Sequence, residues 1–338
     1  MIRVLIVDDS ALIRRVLKDA LEQNPDIKVI GMAENGKDAL EKLKALDPDV
    51  ITLDVEMPVM NGLETLKNIM RLRQIPVIMV SALTTKEAEV TIEALMNGAV
   101  DFVTKPKNLL GDFDSFVKDL QLKVVNAVKS KSRYIKPVES QSRGVKSPGR
   151  GSKKLVIIGS STGGPQTLYQ IMSRLNLLED TSIIIVQHMP PGFTRSLAER
   201  LDSASRFMVK EAENGESLKS GVAYVAPGGY HLVVNGNILT LTNDPPVFGV
   251  RPSVDVAMLS AVKNFKSNIV GVILTGMGVD GARGMEEIKR SGGKTIAQDE
   301  KSCVVFGMPK AAIERGVVDS IVDLDQIPVE IERMVSEL

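Results

Sequence analysis

Short apolar runs alternate with segments of helical periodicity along most of the chain, and nothing else restricts its fold as strongly. Residues 2–7, 28–33, 50–53, 76–80 and 100–103 read as strands. Residues 12–21, 35–46, 63–72, 85–96 and 113–128 carry apolar side chains at helical spacing. A helix between two strands brings the chain back to the edge from which the first strand set out. The strands then pair in parallel, and the helices cover both faces. Five such units with short connections predict an α/β domain over residues 1–128, with a flavodoxin-like five-stranded parallel sheet.

The alternation resumes further on. Residues 155–158, 182–186, 268–274 and 294–298 read as strands, and 206–209 and 221–226 as shorter ones. Helices are expected over 165–174, 193–201, 254–262, 309–314 and 327–335, with another running to about residue 290 and Val317-Val318 as an apolar stop. Residues 231–234 and 237–241 flank Asn235-Gly236, a strong hairpin signal. Residues 153–338 therefore predict a larger wound α/β domain, its sheet mostly parallel, with an antiparallel hairpin. Between the two domains, residues 129–152 are dominated by Ser, Gly, Pro, Lys and Arg. So few apolar groups cannot offset the entropy of ordering, which predicts a basic, flexible linker.

Composition removes several function classes. Of 338 residues, 42 are Lys or Arg and 42 are Asp or Glu, so there is no basic excess of the kind nucleic-acid binding needs. Trp is absent and aromatic residues make up 4%, too few to provide a platform for stacked bases. The single cysteine, Cys303, leaves no internal disulfide and no cysteine-rich metal site. The chain opens on a strand-like run with no secretory signal, and no apolar run is long enough to span a bilayer. These features predict a cytoplasmic protein without direct membrane insertion.

Polar residues collect where strands end. In the first domain Asp8 and Asp9 close one strand, Asp54 another, and Ser81 and Lys105 two more. In a doubly wound sheet these ends lie together. Three carboxylates in one cleft repel one another unless a cation sits among them, and oxygen ligands suit Mg²⁺. Lys105 offers a positive charge for phosphoryl oxygens or for a carboxylate.

In the second domain the strand at 155–158 runs into Gly159-Ser160-Ser161-Thr162-Gly163-Gly164. The spacing Gly159-x-Ser161-x-Gly163 fits a nucleophile elbow, in which small neighbours let a serine hydroxyl stand clear of the backbone. A serine needs a base and an acid to orient that base. There are two histidines. His188 follows a strand end, and His231 begins the hairpin and reads as structural or as a contact on the substrate side. Among the acids Asp280 lies in a Gly-rich turn between a strand and a helix, as Ser161 does, whereas Asp255 and Asp299 have less constrained settings. The order Ser, His, Asp differs from that of α/β-hydrolases. A second reading, in which the Gly-rich turns cradle a dinucleotide phosphate, lacks the fingerprint spacing and a basic clamp.

Residues 1–128 resemble a response-regulator receiver domain, through Val7-Asp8-Asp9-Ser10, Asp54-Val55-Glu56-Met57-Pro58 with Asn61-Gly62, Ser81-Ala82 and Lys105-Pro106. The resemblance implies that Asp54 is the phosphoacceptor and that Asp8, Asp9 and Asp54 hold Mg²⁺. It also implies that Ser81 contacts the phosphoryl group, that Lys105 pairs with it, and that Phe102 is the switch aromatic. Residues 153–338 resemble the catalytic domain of the chemotaxis protein-glutamate methylesterases. The matching blocks are residues 159–165, Gln187-His188-Met189-Pro190, residues 226–231, Arg251-Pro252-Ser253-Val254-Asp255 and residues 275–281. By position, Ser161 is then the nucleophile, His188 the base and Asp280 the orienting acid. Thr162 neighbours the site and fixes His188, and the Met277 N–H is an oxyanion donor. Ser160, where an alanine is usual, adds a second hydroxyl beside Ser161. The resemblance implies phosphorylation-activated hydrolysis of glutamate γ-methyl esters, with glutamine deamidation in some members. It implies methylated chemoreceptor helices as substrate, a chemotaxis histidine kinase as phosphodonor and recruitment to membrane receptor arrays. No cofactor is implied for ester hydrolysis.

Overall fold

The computed structural model describes residues 1–106, 113–129 and 148–338. Most of the expected linker falls on residues 130–147, outside that range. The chain divides into two compact units, Met1–Pro137 and Val138–Leu338.

The first unit runs β1 (Ile2–Val7), α1 (Ala11–Glu22), β2 (Ile27–Ala33), α2 (Gly36–Lys42), β3 (Val50–Asp54), α3 (Gly62–Leu72), β4 (Val77–Ser81), α4 (Thr85–Met96), β5 (Asp101–Thr104) and α5 (Phe113–Lys129). Its sheet has the order β2-β1-β3-β4-β5, parallel throughout. β3 and β4 are buried at every residue because helices cover both faces. Each fully buried Val, Ile or Leu there contributes about 1.5–3 kcal/mol. Ser10, Asn35, Asn61 and Thr84 start α1 to α4, each accepting a backbone N–H three residues on. These caps satisfy N–H groups that have no partner inside the helix.

The second unit runs β6 (Lys154–Ser160), α6 (Gly164–Arg174), β7 (Thr181–Gln187), α7 (Phe193–Ala204), β8 (Met208–Glu211), β9 (Val222–Val225), β10 (His231–Asn235), β11 (Ile238–Thr242), α8 (Val254–Phe265), β12 (Ile269–Ile273), α9 (Ala282–Arg290), β13 (Lys294–Gln298), α10 (Met308–Glu314), β14 (Ser320–Val322) and α11 (Ile327–Ser336). Seven strands form one sheet of order β14-β13-β12-β6-β7-β9-β8, and every neighbouring pair is parallel. The antiparallel hairpin β10–β11 forms a separate two-stranded sheet.

β8 and β9 pair in parallel with no helix between them. The crossover runs instead through residues 212–221, where the hydroxyl of buried Tyr224 accepts the Lys219 N–H and donates to the Ser217 carbonyl. β14 has no counterpart in the sequence, which reads as passing from the apolar stop Val317-Val318 to the helix at 327–335. It is a three-residue edge strand, only partly buried, so it carries neither an apolar run nor an alternation.

One core lies between the sheet, α8, α9 and the hairpin. It includes Leu155, Ile157, Ile184, Tyr224, Leu232, Leu239, Met258, Ile273 and Met285.

Candidate active site

β6 stands at the middle of the seven-stranded sheet. From it the chain winds outward through β7 on one side, and β12, on its other flank, begins the winding in the opposite direction. Ligand sites in open α/β sheets collect in the crevice at such a reversal, beyond the carboxyl ends of the strands. Ser161 follows β6, His188 follows β7, and residues 275–280 follow β12.

β6 and β7 stay in register as far as Ser160 opposite Gln187, and the His188 N–H then donates to the Ser160 carbonyl at 3.0 Å. Neighbouring strands lie about 4.8 Å apart. Ser161 and His188 therefore start from adjacent backbone positions, one step beyond the pair Ser160–Gln187, whose side chains point to the other face. There the fully buried Ser160 hydroxyl donates to Gln187 Oε1 at 2.7 Å. Gln187 Nε2 donates in turn to the carbonyls of Ser161 (2.9 Å) and His188 (3.1 Å). The second hydroxyl of the turn is thus committed to the scaffold, and Ser161 keeps partial exposure.

Gly163 makes the turn possible. Its φ of 77° is in the left-handed region, and a Cβ there would stand 2.6 Å from the Val304 side chain. Gly276 lets β12's loop approach the serine, since a Cβ on it would lie 2.7 Å from Ser161 Cβ.

His188 Nε2 lies 2.8 Å from Asp280 Oδ2, and the two side chains are 9% and 3% exposed. Beside an ionised Asp280, Nε2 is the donor, which leaves Nδ1 as the nitrogen with a free lone pair. Asp280 is held by the start of α8. Its Oδ1 accepts from the Ser253 hydroxyl (2.7 Å) and the Asp255 N–H (3.1 Å), and its Oδ2 also accepts from the Val254 N–H (2.7 Å). Burial alone would raise the pKa of Asp280. The His188 bond, the Ser253 hydroxyl and the Val254 N–H outweigh that, and the carboxyl stays below its ordinary range.

Asp255 is more constrained than its sequence setting suggests. It is buried, and its Oδ1 accepts the Gly284 N–H in the first turn of α9 at 2.8 Å. Burial pushes its carboxyl up despite that bond, and the charge on Asp280 adds to the rise. α8 and α9 therefore cap each other: an acid at the start of each accepts N–H groups from the other. His231 belongs to the same support. Fully buried, it accepts the Ser253 N–H on Nδ1 (3.2 Å) and meets the Pro245 carbonyl through Nε2 (3.1 Å).

Thr275 braces the turn from β12. Its carbonyl accepts the Ser161 N–H (3.0 Å), and its hydroxyl donates to the Thr162 carbonyl (3.0 Å) and accepts the Val305 N–H (2.9 Å). Its own N–H donates to Gln298 Oε1 (2.8 Å). Thr162 is buried next to the serine, and Met277 is exposed just beyond Gly276. Sequence alone points to no role for Gln187, Ser253, Thr275 or Gln298. Only Ser253 carries a signal there, as a Ser directly before a helical segment.

The first unit brings its polar strand ends together as expected. Lys105 Nζ lies 2.8 Å from Asp54 Oδ1 and 3.1 Å from Asp8 Oδ2. Asp8, Asp9 and Asp54 each offer a carboxylate oxygen within 4.8 Å of the others. Asp8 Oδ2 is buried, and the Lys105 ammonium faces it without meeting hydrogen-bond geometry. The all-oxygen donor set fits a hard divalent ion. Burial pushes the Asp54 carboxyl up to about 7; Lys105 opposes that rise and the charge of Asp8 adds to it.

Ser81 faces α4 here. Its hydroxyl accepts from Thr91 Oγ1 (2.9 Å) and lies 3.3 Å from Glu87 Oε2, while Glu87 also takes the Ala82 N–H. Phe102 is buried, with Lys123 Nζ 5.4 Å from its ring centre. Among the described residues no helix is long and apolar enough to cross a membrane.

Comparison with known proteins places both halves. The family model described as CheB methylesterase matches residues 156–331, and that of the response regulator receiver domain matches residues 4–110. A protein-glutamate methylesterase/protein-glutamine glutaminase of Pyrococcus abyssi is 47% identical, over 99% of this chain and 94% of its own. One of Thermotoga maritima is also 47% identical, over 99% and 98%. The crystal structure of the Thermotoga maritima CheB methylesterase catalytic domain covers 55% of this chain and 98% of its own, at 45% identity and a TM-score of 0.51. With a receiver unit first and the methylesterase unit second, the chain belongs to the CheB-type protein-glutamate methylesterases.

Proposed function

We propose that the protein hydrolyses glutamate γ-methyl esters on chemoreceptors, and deamidates receptor glutamines, through Ser161 in an acyl-enzyme mechanism. The observation that carries this reading is the buried His188–Asp280 pair, at the end of the strand that neighbours the one Ser161 follows, where the strand order reverses. His188 Nδ1 takes the proton of Ser161 as Oγ attacks the ester carbonyl. Asp280 stabilises the imidazolium that results. Backbone N–H groups hold the developing oxyanion, the Met277 N–H among them, an effect of about 3–4 kcal/mol per donor in a comparable site. Thr162 flanks the imidazole and keeps it oriented. The acyl carbon–oxygen bond then breaks, and methanol leaves with the proton from His188. Water, deprotonated by the same nitrogen, attacks the acyl-enzyme, and the products are a free carboxylate and the serine. With an amide substrate, ammonia leaves in place of methanol.

Asp54 is the phosphoacceptor, and a chemotaxis histidine kinase is its donor. Asp8, Asp9 and Asp54 hold Mg²⁺, which when bound neutralises charge on the phosphoryl oxygens. Lys105 pairs with the phosphoryl group. Ser81 turns from Thr91 and Glu87 towards it, and Phe102 moves in response. The domains are 1–128 and 153–338, joined by the linker 129–152, and phosphorylation releases the esterase from restraint by the receiver. The protein works in the cytoplasm, at receptor arrays.

The test is methanol release from methylated receptor, with and without a small phosphodonor and Mg²⁺. Ser161→Ala should abolish release under both conditions with the fold intact. Full activity in that variant would remove Ser161 from the mechanism.

A further inference from the structure

Among the described residues, Asp280 is held by two backbone N–H groups and by one side-chain hydrogen bond other than that of His188. That side chain is Ser253, the residue that starts α8. Its hydroxyl has two engagements: it accepts the Val256 N–H of its own helix at 3.4 Å and donates its proton to Asp280 Oδ1 at 2.7 Å. The residue cannot drift, because its N–H is fixed on His231 Nδ1 and both residues are fully buried. The proton it donates reaches the oxygen that does not face His188.

A carboxylate shares its negative charge between two oxygens. A donor on one oxygen draws charge towards it and leaves less for the other. Asp280 Oδ2 is the oxygen that meets the imidazole. Its attraction for a proton on His188 depends on how much charge Oδ1 has given up. We propose that Ser253 is a positioning residue of the esterase, acting through Asp280 to set the basicity of His188.

This assignment rests on the reading of His188 as general base. That base must be neutral to accept the serine proton, and a fully charged carboxylate at 2.8 Å favours the imidazolium. The Ser253 proton offsets part of that bias. Among the described residues, the ionisable groups at this junction besides His188 are Asp280 on the β12–α9 connection and Asp255 on α8, and Arg283 on α9 also acts on Asp255. Replacing Ser253 removes none of these groups. The Val254 and Asp255 N–H groups still hold both Asp280 oxygens in place, so the substitution alters charge rather than orientation.

The measurement is a titration of His188 by nuclear magnetic resonance in the full chain labelled at histidine. With two histidines in the sequence, assignment is direct. Ser253→Ala removes the hydroxyl. Ser253→Gly also removes it while keeping a residue acceptable at a helix start. Ser253→Thr restores the hydroxyl. In Ala and Gly the His188 pKa should rise by about half to one unit, since one unit corresponds to a tenfold change in proton affinity. Threonine should return it to the wild-type value. The acidic limb of kcat/KM should move to higher pH by the same amount.

An unchanged His188 pKa in both hydroxyl-free variants would overturn the proposal. So would a lowered one, which would mean that Ser253 only aims the carboxylate. A raised pKa in the variants, together with a wild-type chain that has no esterase activity, would leave the effect of Ser253 on His188 standing and would sink the enzymatic reading alone.

Discussion

At the scale of single residues, the two adjacent serines have opposite fates although one hydroxyl looks like the other in sequence. Ser160 is buried and spent on Gln187, and Ser161 stands at the edge of the crevice. Ser160→Ala should keep most of the esterase activity but lose stability, because Gln187 Oε1 would be left buried without its donor. Such a loss costs about 1–3 kcal/mol. Thermal unfolding and methanol release measured on the same preparation separate the two effects. Activity that collapses in Ser160→Ala while the unfolding midpoint holds would contradict this division.

Asp280 gives a second expectation, in pH. Its folded pKa lies below the ordinary carboxylate value of about 3.9. Its contribution to stability is therefore complete above that value and is lost as pH falls through the folded pKa. Wild type should exceed Asp280→Asn in resistance to denaturant at pH 6, and the gap should narrow below about pH 4. A gap that is constant across this range would show that the carboxylate's charge contributes nothing.

At the scale of elements, both serine and histidine were legible because their strands end in full view: an apolar run, then a small or polar residue, then helical spacing. The strand β14 was not, because an edge of three half-covered residues leaves no periodic trace. Nor was the mutual capping of α8 and α9. Asp255 and Asp280 are 25 residues apart, and nothing local tells either that its partner helix will stand opposite. That pairing predicts a contrast between two substitutions. Asp255→Asn keeps an oxygen for the Gly284 N–H and should be nearly as stable as wild type, since burial already favours the neutral acid. Asp255→Ala leaves the N–H orphaned at a buried helix start and should cost about 1–3 kcal/mol. Equal losses in denaturant unfolding would argue that shape, not the hydrogen bond, matters at this site.

Ser81 shows what strand-end logic leaves out. Its position at the end of β4 follows from the sequence, but its engagement by Thr91 and Glu87 depends on how α4 lies against the strand. Spacing along the chain carries no information about that packing.

At the scale of the whole molecule, two units of different chemistry share one chain. If the receiver restrains the esterase, a chain lacking residues 1–150 should release methanol several-fold faster than the unphosphorylated full-length protein. Asp54→Asn should leave basal activity in place and remove the increase caused by phosphodonor and Mg²⁺. Parallel assays of the three proteins decide it, and a truncated chain no faster than the intact one would refute restraint by the receiver.

The bracing by Thr275 bears on what form such control can take. One buried residue ties the serine turn, the β12 loop, the end of β13 and the segment before α10 to one another. A machine bolted together in this way has no loose part to be set aside and replaced. The backbone of the serine turn is thus held from within the second unit itself, by bonds that no other part of the chain has to supply.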